Sequence, residues 1–371
     1  MRRIEKPLHE QVFAAILDDL QSGKLNAGDK LPSEAALTKR FSASRITIGR
    51  ALRELKQRGL IEGVAGSGNF VTIQRDTGRT LLFGLLIPNL GETEIFEPIC
   101  QGMAAAYERG NFALIWGQAS PDSDLEKQAL QLCEQYVAQR VAGVFFAPLE
   151  MTPNSDAVNQ QISAAFDKAS IPVVLLDRCF LPFPKRSGHD LVGIDNRRAG
   201  DMATEHLLQT GSRDIAFLAG LTGAPTVEAR IAGYREALLR HGAPVQEGRV
   251  LRMPDITSDA VREALQDSGI QAVVCANDRI AGQLLHALQE CGLRVPHDLR
   301  VVGMDDVEYA SLLSVPLTTV HQPCREIGQA AVTAMFSRRE RPGMLARDIL
   351  LDCRLVVRES SSYRLRPRNT D

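Results

Sequence analysis

The sequence predicts an α/β chain in two parts: a small winged helix-turn-helix head, then a larger core of two doubly wound lobes built on parallel sheets. Three observations predict it. Two short amphipathic stretches meet at the turn "SAS" (42–44), the spacing of a helix-turn-helix. From residue 81 onward, apolar runs alternate with amphipathic helical stretches, as they do when a parallel sheet is covered on both faces. Charge is also unevenly divided: residues 1–75 hold 13 Lys/Arg against 8 Asp/Glu, and the remainder 30 against 37. A small basic head on an acidic body is the footprint of a polyanion-binding module joined to something else.

Within the head, Leu8–Gln21 places Val12, Phe13, Ile16, Leu17 and Leu20 on one helix face, and "SGKLNAGDKLP" ends that helix. Ser33 is a good N-cap for a second helix reaching about Phe41, and Glu34 complements its positive end. A third helix opens at Ser44, with Ile48, Ala51, Leu52 and Leu55 at i, i+3, i+4 and i+7. Its opposite face offers Arg45, Thr47, Arg50 and Arg53, and Gly49 sits among them, where glycine costs roughly 1 kcal/mol against alanine. Then "LIEGVAGSGNFVTI" reads as two strands around a Gly66-Ser67-Gly68 tip, a β-wing.

The second helix of a helix-turn-helix enters the major groove by its N-terminal residues. Arginine there reaches guanine or phosphate, and Ile46 is available to a thymine methyl. The hydroxyls of Ser33, Ser44 and Thr47 suit phosphate oxygens. The wing glycines allow close backbone approach. The "GSG" is not a nucleotide-binding loop, since it lacks the G-x-x-x-x-G-K-[ST] pattern and sits in a hairpin.

In the core, eight runs read as strands: "LLFGLLIP", "FALIWG", "VAGVFFAP", "IPVVLLD", "LVGID", "DIAFLAG", "QAVVCAND" and "LRVVGMDD". Eight units exceed one lobe, and the Pro-rich "FLPFPKRSGHD" (180–190) is the expected crossover between two. Doubly wound sheets bind ligands beyond the carboxyl ends of their strands. The residues there are Asn89, Asp177, Asp195, Asn277, Asp278, Asp305 and Asp306, and Arg230 on a following helix adds a forked donor. Carboxylates and amides gathered in one cleft suit a polyhydroxylated ligand. For Asp195 and Asp278, which open helices, the competing role is helix capping.

The rest of the sequence excludes other classes. The chain has 371 residues, 44% hydrophobic and 24% charged, as in an ordinary globular protein. No apolar run approaches the roughly 18 residues of a membrane span, and "MRRIEKPLHEQVF" has no apolar stretch of the secretory kind. Seven cysteines stand singly, which favours reduced thiols, a cytoplasmic setting and no zinc site. No catalytic motif appears, and the histidines show no metal-ligand spacing.

Two resemblances extend this reading. "GDKLPSEAALTKRFSASRITIGRALRELKQRGLIEGVAGSGNFV" resembles the winged helix-turn-helix of the GntR family of bacterial transcription regulators. That resemblance implies dimeric binding to a palindromic operator, with Ser33, Ser44, Arg45, Ile46, Thr47, Arg50, Gly66, Ser67 and Gly68 as DNA-contacting candidates. It departs at Gly49, where many members carry a polar or basic residue.

Next, "VGIDNRRAGDMATEHLLQTGSRDIAFLAG", "EARIAGYREAL", "VCANDRIAGQLLHALQECGLRVPHDLRVVGMDDVEYA" and "PLTTVHQPCREIGQAAV" resemble the effector core of the LacI family. That core is similar to periplasmic sugar-binding proteins (type I). By position it implies sugar contacts at Asp177, Arg230, Asn277, Asp305 and Gln322, with Asn89 and the loop to Phe96 nearby and Thr226 as a further hydroxyl. Phe96, Trp116 and Phe180 are candidate surfaces for stacking on a sugar ring, with core packing as the alternative for Trp116.

The expected organisation is a DNA-binding head at 1–73, a linker at 74–80, a core at 81–362 and a polar tail at 363–371. Lobe 1 would hold about 81–187 and 322–347, and lobe 2 about 188–321 and 348–362. The expected activity is repression of carbohydrate genes by a homodimer that a monosaccharide releases from DNA, with no metal and no cofactor. Alternatives are a sugar-phosphate or purine effector, for which Arg178 or Arg197 would supply charge, and an activator or co-repressor. A sugar-converting enzyme, with His189 and His321 near the cleft, and a receptor with a vestigial head remain as the other classes.

Overall fold

The computed structural model describes residues 8–362 except 22–23, 26–27, 58–59, 65–66, 72–79, 88–89, 91–93, 107–109, 118–123, 222 and 267. The expectations for Gly66, Asn89, most of the linker and the tail therefore lie outside the described residues. The chain divides into two compact units, Met1–Arg79 and Thr80–Asp371.

The head is built as its sequence pattern requires. Helices α1 (Leu8–Gln21), α2 (Glu34–Phe41) and α3 (Arg45–Gln57) enclose a core of Val12, Ile16, Leu37, Ile48, Leu52 and Leu55. Ser33 caps α2 by accepting from the Ala36 amide at 3.2 Å. Ser42, in the left-handed region at φ 47°, turns the chain toward α3. The buried Asp19 carboxylate on α1 takes Arg40 Nη1 at 2.6 Å and Lys24 Nζ at 3.3 Å, and the Arg40 hydrogen bond in particular holds its pKa below the usual value. Strands β1 (Ile61–Val64) and β2 (Gly68–Val71) pair antiparallel, Ile61 opposite Val71 and Val64 opposite Gly68, which is the expected wing.

The core contains two six-stranded sheets. The first has the order β13-β7-β6-β5-β3-β4, with β3 at Leu81–Leu86, β4 at Phe112–Ile115, β5 at Gly143–Phe146, β6 at Val173–Leu176, β7 at Asp190–Ile194 and β13 at Asp348–Leu351. All of its neighbours run parallel. The second has the order β14-β12-β11-β10-β8-β9, with β8 at Ile215–Ala219, β9 at Val250–Arg252, β10 at Ala272–Cys275, β11 at Arg300–Asp305, β12 at Thr318–His321 and β14 at Arg354–Val356. Only the edge strand β14 is antiparallel there. All eight runs read from the sequence are strands. The four that escaped, β9 and β12 to β14, are three or four residues long and each carries a polar or charged residue, so no continuous apolar run marks them.

The lobe boundaries need correction. The segment 180–190 does not cross between lobes: β7, which follows it, returns to the first sheet, with Leu191 opposite Leu175. The chain crosses after β7 at Asp195, returns after β12 at Gln322–Pro323 and crosses again at Asp352–Cys353. Residues 188–194 and 348–351 thus belong with the first sheet and not the second lobe. Prolines and polar residues mark any long surface turn, so that signal could not separate a loop within a lobe from a passage between lobes.

One helix pair fastens each lobe. α4 (Phe96–Ala104) packs on α11 (Cys324–Glu340) in the first, and α7 (Asn196–Gln209) on α8 (Pro225–Arg240) in the second. Both crossings are made at glycines. A methyl group on Gly102 would meet the Arg325 carbonyl, and one on Gly328 the Ile99 carbonyl. Gly200 faces the Arg230 carbonyl and Gly233 the Arg197 carbonyl in the same way.

Candidate effector cleft and DNA-recognition helix

Strand ends in the core deliver polar side chains to one cavity of about 270 Å³. That is just under the roughly 300–1,000 Å³ of drug-sized sites, so it fits a small ligand. Phe96, Asp177, Thr226, Arg230, Asn277 and Asp305 all line it. Gln322 stands behind, its Nε2 donating to Asp305 Oδ1 at 2.7 Å. Asp177 (φ 66°) and Asp305 (φ 115°) follow the last residues of β6 and end β11 in the left-handed half of backbone space. A non-glycine residue there costs of order 1–3 kcal/mol, and such strain collects at functional sites.

Arg230 is 5% exposed and already committed. Its Nε donates to Asn196 Oδ1 at 2.8 Å, its Nη1 to the Ala276 carbonyl at 2.6 Å, and its Nη2 lies 3.8 Å from Asp305 Oδ1. Arg178 is likewise engaged by the Pro148 carbonyl (3.1 Å), Asp177 (2.7 Å) and Glu150 (3.2 Å). Burial pushes the Asp305 carboxyl up to about 6 despite Arg230 and Gln322, and it raises Glu150 as well.

Sequence reasoning missed Glu150, which lies just beyond "VAGVFFAP"; the strand-end rule that found Asp177 applied equally there. Its buried Oε2 is the atom that faces Arg178 Nη1 at 3.2 Å, an ion pair without hydrogen-bond geometry. Glu94, in the loop before Phe96, also lines the cavity and accepts from Tyr309 Oη at 3.3 Å, which links the two lobes. Met253 and Pro254 follow the unseen β9 and complete one wall.

Several candidates fall elsewhere. Phe180 is buried in the core of the first lobe. Trp116 is 57% exposed and absent from the cavity lining, so it is neither core nor cleft. Asp195 caps α7, accepting from the Arg198 amide at 3.1 Å. The cap of α10 (Asp278–Glu290) is Asn277, not Asp278, and Asn277 Oδ1 accepts from the Ile280 amide at 2.9 Å.

Asp278 lies beneath the site and accepts from Thr319 Oγ1 at 2.6 Å; burial raises its carboxyl to about 7. Arg197 pairs at the surface with Glu236. His321 bonds Asp306 at 2.9 Å. His189 lies away from the cleft, by a hollow of about 510 Å³ at the N-terminal ends of β5 to β7, bonded to Ser163 at 2.7 Å.

In the head, Arg45, Ile46 and Arg50 are exposed on the first turns of α3. Ser44 and Thr47 are occupied with each other: Ser44 Oγ lies 2.8 Å from Thr47 Oγ1 and accepts the Thr47 amide at 3.2 Å, so Ser44 is the helix cap. Ser67 is exposed at the wing, and Gly68 adopts φ 110°.

Comparison with known proteins agrees with both halves. Residues 8–71 match the bacterial regulatory proteins of the gntR family, and residues 204–361 match a periplasmic binding protein-like domain. The chain joins a GntR-type head to a periplasmic-binding-protein-like core. The arabinose metabolism transcriptional repressor of Geobacillus stearothermophilus is 27% identical over 372 residues, covering 97% of this chain and 99% of that protein. The ribose operon repressor of Escherichia coli K12 is 28% identical over 293 residues, 76% of this chain and 83% of that one. Among solved structures, a LacI family transcriptional regulator from Enterococcus faecalis V583 with bound ribose superposes at TM-score 0.62. It is 25% identical and covers 76% of this chain and 98% of that one. These relatives are transcriptional regulators, and among the described residues no helix is long and apolar enough to cross a membrane.

Proposed function

We propose that this protein is a cytoplasmic transcriptional repressor of carbohydrate uptake or catabolism genes, released from its operator by a small unphosphorylated sugar. The observation that carries the reading is the hydrogen-bond balance of the cleft. Four carboxylates line it, and its two arginines are already largely engaged by protein acceptors. Such a site is rich in acceptors and short of free cationic donors. It suits hydroxyls, each of which donates a hydrogen bond, and it penalises a phosphate. Asp177, Asp305, Arg230, Asn277 and Gln322 are the contacts on which the reading rests, with Thr226 and Phe96 beside them.

The mechanism is a linkage between two equilibria. Side chains from both lobes converge on the cavity, so a sugar that touches both favours their closed arrangement. Two cores associated isologously would present two heads to a palindromic site. Release follows if the closed core is the form whose heads fit that site poorly, and the sugar's affinity must then differ between the two forms by the same factor as the DNA's. The head contributes Arg45, Thr47 and Arg50 to the groove and backbone, with Ser33, Ser44 and the wing alongside. Chemical conversion of the sugar is not part of the reading, as the relatives are regulators.

A gel-shift titration of operator-bound protein against free pentoses, hexoses and their phosphates tests this. Release by a free sugar and not by its phosphate is expected. Tighter DNA binding on adding the sugar would overturn release, and a response confined to phosphates would overturn the cleft assignment.

A further inference from the structure

The recognition helix carries two residues that the fold of the head does not explain. Ile46 is 81% exposed on the first turn of α3, beside the residues meant to enter the groove. At about 100° per residue, Arg45, Gly49, Arg53, Ile46 and Arg50 fall in that order across an arc of roughly 140°. The buried Ile48, Ala51, Leu52 and Leu55 occupy the opposite side. Ile46 is thus the one large apolar side chain on this face, between Arg53 and Arg50 around the helix and one turn before Gly49.

Gly49 lies within regular helix and has no positive φ. A side chain built there would meet nothing within 4 Å. It differs in this from Gly200 and Gly233, where a neighbouring backbone forbids a side chain. Nothing inside the molecule asks for glycine at 49, and glycine weakens a helix relative to alanine. What the glycine serves must come from outside. The Arg53 side chain bends back to donate to the Gly49 carbonyl at 3.3 Å, yet it stays more than 4 Å from where a side chain at 49 would begin.

Resting on the reading of the head as a DNA-binding module, the geometry points to a methyl-reading surface: Ile46 packs on the C5 methyl of an operator thymine, and the bare backbone at Gly49 lets α3 approach closely enough for it to do so. The major groove displays that methyl on thymine alone, so the contact specifies a base pair. The flanking arginines supply phosphate contacts and the affinity that accompanies them. Ile46 and Gly49 are accordingly specificity-determining residues, separable from the arginines.

Deoxyuridine, which differs from thymidine by that methyl, provides the test. Operator duplexes are selected from a random pool with the full-length protein, and each thymine is then replaced singly by deoxyuridine. Binding is measured by fluorescence anisotropy at fixed salt. One replacement per half-site should weaken the wild type about fourfold, the worth of one buried methyl group. Ile46→Ser should lose that sensitivity yet keep the salt dependence, because its phosphate contacts remain. Gly49→Ala should melt higher than wild type and bind the selected operator more weakly.

Neutral deoxyuridine replacements throughout would overturn the proposal while leaving a sequence-selective protein. Full operator affinity in Gly49→Ala would overturn the part assigned to Gly49. Failure of the wild type to enrich any sequence would instead remove the DNA-regulator reading itself.

Discussion

The α7–α8 crossing of the core and the recognition helix of the head both place glycine inside a helix, for opposite reasons. At Gly200 and Gly233 the partner backbone occupies the space of the missing side chain. The glycines there bring two helices together, and one of the backbones they admit is that of Arg230, one of the two arginines of the cleft. At Gly49 the space is empty. One region uses glycine to close a protein–protein contact that the fold completes. The other leaves the helix surface bare, which is what the proposed thymine contact requires. A helix-interior glycine is therefore informative only once its surroundings are known.

The largest effect should come from filling the occupied sites. Gly200→Ala or Gly233→Ala forces α7 and α8 apart and should destabilise the core by about 3 kcal/mol, the upper end of overpacking costs, seen as a lower calorimetric melting temperature. Arg230→Met keeps the helix crossing but strips Asn196, the Ala276 carbonyl and Asp305 of their donor. It should cost about 2 kcal/mol through polar groups left unsatisfied, and should abolish sugar binding measured by calorimetry.

A pH titration reaches the same site without mutation. Asp305 titrates at about 6 and Glu150 is raised in the same direction. Their ionised forms are the better acceptors for sugar hydroxyls, so affinity should rise as pH increases through 6. Between pH 5 and pH 7.5 the gain should be about tenfold, one pH unit of protonation lost from Asp305, and Asp305→Asn should flatten the profile. The smallest effect belongs to the empty site. Gly49→Ala should stabilise α3 by about 1 kcal/mol, measured as slower hydrogen exchange of its amides. A loss of stability there would erase the contrast between the two regions.

The sequence made the head legible almost residue by residue, because period, cap and turn signals all lie within a few residues of one another. The eight strands that are continuous apolar runs were legible for the same reason. The cleft was legible through one rule, that ligands sit beyond strand ends, and this brought Asp177, Asn277 and Asp305 together with Arg230. The loop to Phe96 was legible as a region without singling out Glu94, and the crossings at Asp195 and Asp352–Cys353 were not legible, because they depend on which sheet a strand joins and not on local pattern. Trp116 misled for a related reason: an aromatic in an apolar run reads as core, whereas it stands just past the end of an edge strand. Mutual satisfaction of Ser44 and Thr47 also needed coordinates, since either hydroxyl alone reads as a free phosphate ligand.

The three crossings between the lobes bear on how such a chain can be assembled by recombination. Neither lobe is a continuous piece of the gene: the first is written in two stretches and so is the second. Exchanging the second lobe for another would take three coordinated breakpoints. The head lies in a single stretch ahead of the core, and one breakpoint replaces it. DNA address and chemical signal can thus be recombined freely, while the cleft that reads the signal is inherited whole.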